Sequence, residues 1–314
     1  MSVVITNIAA VFIIMGVGFI ANKAGLLKEE ANRYLSPLLI YITTPCMVLA
    51  TVSSKEIEEG MATTVIEMLL SAGVYFVIFC FIAWVLCTKV INIREKNDRG
   101  VYMMLFASIN NGFIGLPITL AIFGEEKLFL MVFFQIALMI YIYGPGILQV
   151  HYGEEARSNK TKALKSIAGP GTVAALIGLV LLFTGTRLPE MLFKSIESIG
   201  SATTPLSMII IGIQLGSSNF REIVKNKELV LESTLKMIFT PVITFLLVNW
   251  LPIPNAIKLV LVFGASFPSA VATTPIAAME GKNSQVAAEG VALTTLMSLV
   301  TIPLTAYAVT ALYL

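Results

Sequence analysis

Residues 108–117 read Ser-Ile-Asn-Asn-Gly-Phe-Ile-Gly-Leu-Pro, and residues 266–275 read Ser-Phe-Pro-Ser-Ala-Val-Ala-Thr-Thr-Pro. Both stretches lie inside apolar runs, and glycine and proline interrupt helices because proline lacks a backbone donor and glycine permits unusual backbone angles. The closing prolines, Pro117 and Pro275, lie 158 positions apart. Membrane-spanning helices that break at matching points of two halves are typical of the binding site of a transporter. The sequence therefore predicts a membrane carrier.

The composition predicts an all-α membrane protein. Of the 314 residues, 57% are hydrophobic and 13% are charged, and the charges separate apolar stretches of about 20 residues, the length that a helix needs to cross hydrocarbon. The ten predicted transmembrane helices cover residues 3–22, 34–53, 62–88, 100–122, 127–149, 166–184, 196–216, 229–250, 256–279 and 285–312.

Basic residues predict the orientation of these spans. The connections after the odd-numbered spans hold 15 lysines and arginines, whereas the connections after the even-numbered spans hold five. Loops rich in lysine and arginine stay in the cytoplasm. We therefore expect a multi-pass protein of the plasma (inner) membrane with both termini outside, and the net charge of +2 needs no nucleic-acid partner.

The two halves of the chain repeat one another. Thr43-Thr44-Pro45 recurs as Thr203-Thr204-Pro205 at an offset of 160, and Pro145 matches Pro303 at an offset of 158. A nearly constant offset indicates duplication. Each unit has five spans, so the second unit enters the membrane from the opposite face, which gives inverted repeats at residues 1–153 and 154–314. The linker, residues 151–165, is too short for a soluble domain and is expected to act as a hinge.

Both breaks can bind charged groups, because amide ends of half-helices favour an anion and carbonyl ends favour a cation. The alternative is that the polar residues there only satisfy the broken backbone. The predicted substrate-binding residues are Asn110, Asn111, Gly112, Gly115, Pro117, Ser266, Pro268, Ser269, Thr273, Thr274 and Pro275.

Polar residues elsewhere in the spans are candidates for ion coupling. They are Glu67, Gln135, Glu232 and Lys236. A buried carboxylate can carry a proton because desolvation favours its neutral form. As alternatives, Glu232 and Lys236 could pair at four-residue spacing and extend to the cytoplasmic surface, Glu67 could reach the outer interface, and Gln135 could serve in packing.

No motif indicates an enzyme, a cofactor or a metal site. Cys46, Cys80 and Cys87 lie in or at the end of apolar spans without the spacing of a disulfide or metal site. The single histidine, His151, is expected to be a solvated loop residue.

The ten-span pattern, the Asn111 to Pro117 string and the prolines of span nine resemble the auxin efflux carrier family, whose bacterial members are described as permeases for malate, malonate and related acids. The resemblance covers the whole chain. It implies a fold similar to sodium/bile-acid symporters, in which helices four and nine cross near the midplane. It also implies that spans three to five and eight to ten form a transport bundle. Spans one, two, six and seven would form a scaffold that dimerises.

Gln135 lies where plant auxin exporters have a glutamine, but Glu280 replaces their lysine beyond the last proline of span nine, which favours a small metabolic carboxylate over auxin. The sequence thus predicts a secondary transporter of a small organic anion that works by alternating access. The alternative is a proton or sodium exchanger on the same fold without an organic substrate. A receptor or structural protein would leave the matched breaks without a purpose.

Overall fold

The computed structural model describes residues 2–54, 60–153 and 170–314. Within these ranges all regular secondary structure is helical. The predicted hinge lies mostly outside the described residues, as do the first residues of the predicted sixth span. The same is true of five of the basic residues used for the orientation, namely Lys55, Arg157, Lys160, Lys162 and Lys165.

Fifteen α-helices are formed in the described ranges. They are α1 (Ser2–Lys23), α2 (Asn32–Leu38), α3 (Thr44–Ser53), α4 (Met61–Val85), α5 (Arg99–Ala107), α6 (Leu116–Tyr141), α7 (Ile147–Val150), α8 (Pro170–Thr184), α9 (Glu190–Ser201), α10 (Thr203–Ser217), α11 (Phe220–Ile223), α12 (Lys227–Asn249), α13 (Asn255–Ala265), α14 (Thr273–Met279) and α15 (Ser284–Tyr313). Single π turns at Leu39–Thr43, Leu86–Val90, Asn111–Gly115 and Ile142–Gly146 extend or join several of them.

Seven helical stretches in the described chain are long and apolar enough to cross a membrane, so the chain is a multi-pass membrane protein. They are Thr6–Lys23, Glu29–Ser53, Met61–Val90, Lys96–Val150, Glu190–Ser217, Lys227–Asn249 and Ser284–Tyr313. Two shorter apolar helices, Pro170–Thr184 and Asn255–Ala265, accompany them. The Lys96–Val150 stretch is not continuous, because Gly124 inside α6 has a φ of 74° and a ψ of −171°. Only glycine adopts that conformation readily, so Gly124 divides the stretch.

The chain forms two compact units. The first comprises Met1–Met68, Gly112–Ile136 and Ile167–Ser217, and the second comprises Leu69–Asn111, Ala137–Ser166 and Ser218–Leu314. These units are defined by contacts and not by sequence repetition. The predicted inverted repeats at residues 1–153 and 154–314 stay a prediction.

Helices in the first unit pack through small residues. A side chain at Gly18 of α1 would collide with the backbone of Ile209 in α10, and one at Gly212 would collide with the carbonyl oxygen of Met15. Where α1 ends, Asn22 Nδ2 donates to Ser217 Oγ at 3.1 Å. Close approach of helix backbones at glycine is a common way for membrane helices to associate, and it makes α1 and α10 a tight pair.

The second unit has an aromatic core. Tyr102, Phe106, Tyr141, Phe263 and Phe267 are fully buried. The rings of Phe76 and Tyr141 stack with centroids 5.0 Å apart, and Phe263 meets Phe267 edge to face at 5.0 Å. This packing fixes α5 and α13, the two helices that lead into the predicted breaks.

Gly212→Ala should destabilise the first unit, because a Cβ there requires α1 and α10 to separate. Overpacking of this kind costs roughly 1–3 kcal/mol. Gly16→Ala is the matched control, since a Cβ at Gly16 meets nothing within 4 Å. Thermal unfolding of purified protein in detergent should show a lower Tm for Gly212→Ala and an unchanged or higher Tm for Gly16→Ala. Equal Tm values would contradict the tight pairing.

Candidate functional site

The first predicted break is confirmed. Helix α5 ends at Ala107, and Ser108 has an extended backbone with φ −79° and ψ 152°. Residues 108–110 are not helical, after which the π turn at Asn111–Gly115 leads into α6. Ser108, Asn110 and Asn111 are buried, so their polar groups need partners inside the protein.

The second predicted break is also confirmed. Helix α13 ends at Ala265, and helical structure resumes at Thr273. The segment 266–272 between them contains Pro268, which lacks a backbone donor. Ser266, Ser269 and Thr273 are buried, Thr274 is half-buried, and Pro275 is exposed.

Residues of the two breaks contact one another within the second unit. The backbone N–H of Asn110 donates to the carbonyl oxygen of Pro268 at 2.7 Å. The N–H of Ala270 donates to Ser108 Oγ at 3.2 Å, and that oxygen lies 3.3 Å from Thr273 Oγ1. The sequence predicted that both helices are interrupted. The structure shows in addition that the two interruptions form hydrogen bonds with each other.

Serine hydroxyls at the second break bind backbone carbonyls. Ser266 Oγ donates to Phe263 O at 2.6 Å, and Ser269 Oγ donates to Leu105 O at 2.7 Å. The N–H of Ser269 donates to Thr294 Oγ1 of α15 at 3.1 Å. These bonds add partners for backbone groups at the points where α5 and α13 are interrupted.

One helix caps the carbonyl ends of both interrupted helices. Lys236 of α12 donates from Nζ to the carbonyl oxygens of Leu105 and Phe106, each at 2.9 Å, and to that of Ser108. One turn further along α12, Thr240 Oγ1 lies 2.7 Å from the carbonyl oxygen of Ala265 and 2.6 Å from that of Lys236 in its own helix, so the two carbonyls share its single proton. Polar side chains one turn apart thus serve α5 and α13, respectively.

Glu232 and Lys236 do not extend to a surface, so that interpretation of the pair is wrong. Their exposed fractions are 0% and 1%. A lysine ammonium has three donors, and Lys236 uses them on three carbonyls of α5 and the residue that follows it. Glu232 instead accepts from Ser233 Oγ at 3.2 Å. Sequence reasoning missed the capping role of Lys236, although Thr240 at four-residue spacing marks the same buried face.

His151 is not a solvated loop residue, and that expectation was also wrong. Its Nε2 lies 2.9 Å from Glu280 Oε2, and its side chain is 14% exposed. Glu280 directly follows α14, so this contact ties the end of the second broken helix to the residue at which the linker begins. The linear sequence gives no signal for a contact between residues 129 positions apart.

Other predicted site residues belong to the first unit. They are Gly112, Gly115, Pro117, Glu67 and Gln135. A Cβ at Gly112 would lie 3.9 Å from Gln135 Nε2, which brings these two predicted residues close together. Glu67 and Gln135 are half-buried. Their predicted roles in coupling remain predictions.

A family model described as membrane transport protein matches residues 3–306 of this chain. The chain belongs to the auxin efflux carrier family. The match includes both breaks and every predicted site residue.

Similar proteins of this family cover nearly the same length. An uncharacterized transporter of Methanocaldococcus jannaschii is 27% identical over 302 residues, which are 94% of this chain and 95% of that protein. An uncharacterized transporter of Methanothermobacter thermautotrophicus is 25% identical, with 95% and 96% covered. The uncharacterized transporter YfdV of Escherichia coli is 21% identical, with 96% of each chain covered. The names of the family and of these relatives point to transport rather than to catalysis.

Thr240→Val should destabilise this carrier, because it leaves the buried carbonyl of Ala265 without its hydroxyl partner. The expected cost is about 1–3 kcal/mol, visible as a lower Tm in detergent. Thr234→Val is the control, since the partner of Thr234 Oγ1 among the described residues is the carbonyl of Val230 within its own helix, at 2.7 Å. An equal loss in both variants would mean that Thr240 does not cap α13.

Proposed function

We propose that this chain is a secondary transporter of a small organic anion, a carboxylate, that works by alternating access. The observation that carries the proposal is the contact between the two helix breaks, in which the N–H of Asn110 donates to the carbonyl oxygen of Pro268 at 2.7 Å. Interrupted helices near the midplane form the sites of many secondary carriers, where amide ends of half-helices bind carboxylate groups. Membership of a membrane transport family supports the same function.

The proposed architecture has ten transmembrane helices in two inverted five-helix repeats. Division of the Lys96–Val150 stretch at Gly124 supports two spans there, and the two shorter apolar helices supply further spans. The proposed scaffold consists of spans one, two, six and seven; the first unit holds nearly all of these residues, together with residues 62–68 and 112–136 of the proposed transport bundle. We expect this scaffold to form a homodimer, and the carrier to reside in the plasma membrane.

A proton or sodium exchanger is the second candidate. The observation in its favour is the carboxylate of Glu232, which is fully buried and whose Oε1 accepts no hydrogen bond from the residues that the structure describes. A carboxylate in that environment can bind and release a proton. The exchanger would use Glu67 and Gln135 for ions and would bind no organic guest.

Counterflow in proteoliposomes separates the two functions. Vesicles preloaded with one of a panel of carboxylates should accumulate the same labelled compound, and sodium and pH gradients are varied separately. An anion carrier gives accumulation for at least one carboxylate without a cation gradient. Cation flux without accumulation of any carboxylate would favour the exchanger.

Asn111→Ala should lower the affinity for the transported carboxylate in the protein that remains folded, because the buried amide lies at the break. Loss of one hydrogen bond to a charged group costs about 1.5–3 kcal/mol, which is a roughly 10- to 100-fold weaker half-saturation. Asn249→Ala is the control, since this exposed residue accepts from Tyr313 at the end of α15. A lower Tm with normal affinity in the surviving protein would make Asn111 structural.

Orientation can be tested with single cysteines in a background that lacks Cys46, Cys80 and Cys87. A cysteine in place of Arg94 should react with an impermeant maleimide only after the cells are opened, whereas one in place of Asn255 should react in intact cells. Both positions are exposed. The reverse pattern would place the termini in the cytoplasm and invert the proposed topology.

A further inference from the structure

The carbonyl end of α5 has the form of a small cation site. The carbonyl oxygens of Leu105, Phe106 and Ser108 converge on one point, which the Lys236 ammonium occupies. This point is buried, since Lys236 is only 1% exposed. Backbone carbonyls at the C-terminal ends of interrupted helices are the ligands that bind sodium in many carriers.

We propose that this is a monovalent-cation site whose occupant is built into the chain. The ammonium of Lys236 carries one positive charge and makes three short contacts to carbonyl oxygens, as a bound alkali cation would. The partial negative charge at the end of a helix favours a cation there. A carrier with this arrangement requires no sodium at the carbonyl end of α5.

Further contacts show that the site is tightly held. Leu105 O accepts a second hydrogen bond, from Ser269 Oγ at 2.7 Å, and the Ser108 side chain accepts from the N–H of Ala270. The ammonium therefore lies where the first break is joined to the second. Removal of the ammonium takes one donor from each of three buried carbonyls, and a small guest cation can replace it.

The second interrupted helix differs in this respect. Its last carbonyl, at Ala265, is capped by the neutral hydroxyl of Thr240 at 2.7 Å. The single proton of that hydroxyl is shared with the carbonyl oxygen of Lys236 at 2.6 Å, whereas the end of α5 receives three hydrogen bonds from one ammonium. The proposed cation site is thus specific to α5 and is not a general property of the breaks.

Chemical rescue of Lys236→Ala tests the proposal. The variant has a cavity in place of the lysine side chain, and propylammonium restores both the missing stem and the missing charge. We expect a lower Tm than wild type and a saturable rise of roughly 5 °C with the amine at a hundred times its Kd. Tetramethylammonium, which has no N–H donor, should have no effect.

Two further variants serve as controls. Lys236→Met keeps the apolar stem without leaving a cavity, so it should be destabilised and not rescued. Lys225→Ala removes an exposed lysine that pairs with Glu222 at 2.8 Å, so its Tm should be near that of wild type and should not respond to the amine. A rise in Tm in either control would show that the amine acts elsewhere.

Folded protein can also be measured directly if Lys236→Ala does not survive purification. Fluorescent fusions of the variant, extracted from membranes with and without propylammonium, are compared by size-exclusion chromatography. Recovery of a monodisperse peak with the amine supports the site. Absence of rescue in both measurements overturns the proposal, as does equal rescue by tetramethylammonium. Because the measurements detect cation binding, a failure here is distinct from the failure of carboxylate transport.

Discussion

The structure depends on the need to satisfy backbone groups where two membrane helices are interrupted. An unpaired amide or carbonyl in hydrocarbon costs several kcal/mol, so α5 and α13 could not end inside the membrane without partners. Helix α12 supplies two of these partners, Lys236 for α5 and Thr240 for α13. The breaks supply further partners to one another through Asn110, Pro268 and Ser269. The ends of α5 and α13 therefore depend on each other and on α12 for their hydrogen-bond partners.

The two units are stabilised by different kinds of contact. In the first unit, glycines at positions 18 and 212 allow α1 and α10 to approach closely, so the pair is held by close van der Waals contact. In the second unit, hydrogen bonds join the two breaks, and several aromatic side chains are fully buried. Close packing resists small displacements, while a hydrogen-bonded network keeps its geometry only if every member stays satisfied. Both properties therefore resist local rearrangement within a unit.

The sequence predicted the elements whose cause is local. Glycine, proline and paired asparagines at 108–117 indicate an interruption because their own backbone chemistry creates it, and the structure has it at residues 108–110. Contacts between distant residues could not be predicted. Lys236 and Glu232 suggested a helix-surface pair by spacing, but the partner of Lys236 is the end of another helix. His151 meets Glu280 for the same reason, since only the tertiary fold sets their proximity.

The hydrogen bonds at the breaks also narrow the choice of groups that could recognise an anion. An anion needs donors, and a serine hydroxyl has one proton. In Ser266 and Ser269 that proton already goes to the carbonyls of Phe263 and Leu105, so either residue would have to release a backbone carbonyl to bind a guest. The hydroxyl oxygens remain acceptors, which suits a cation or a protonated acid. These two serines are therefore poorly suited to donate to the carboxylate of the proposed function.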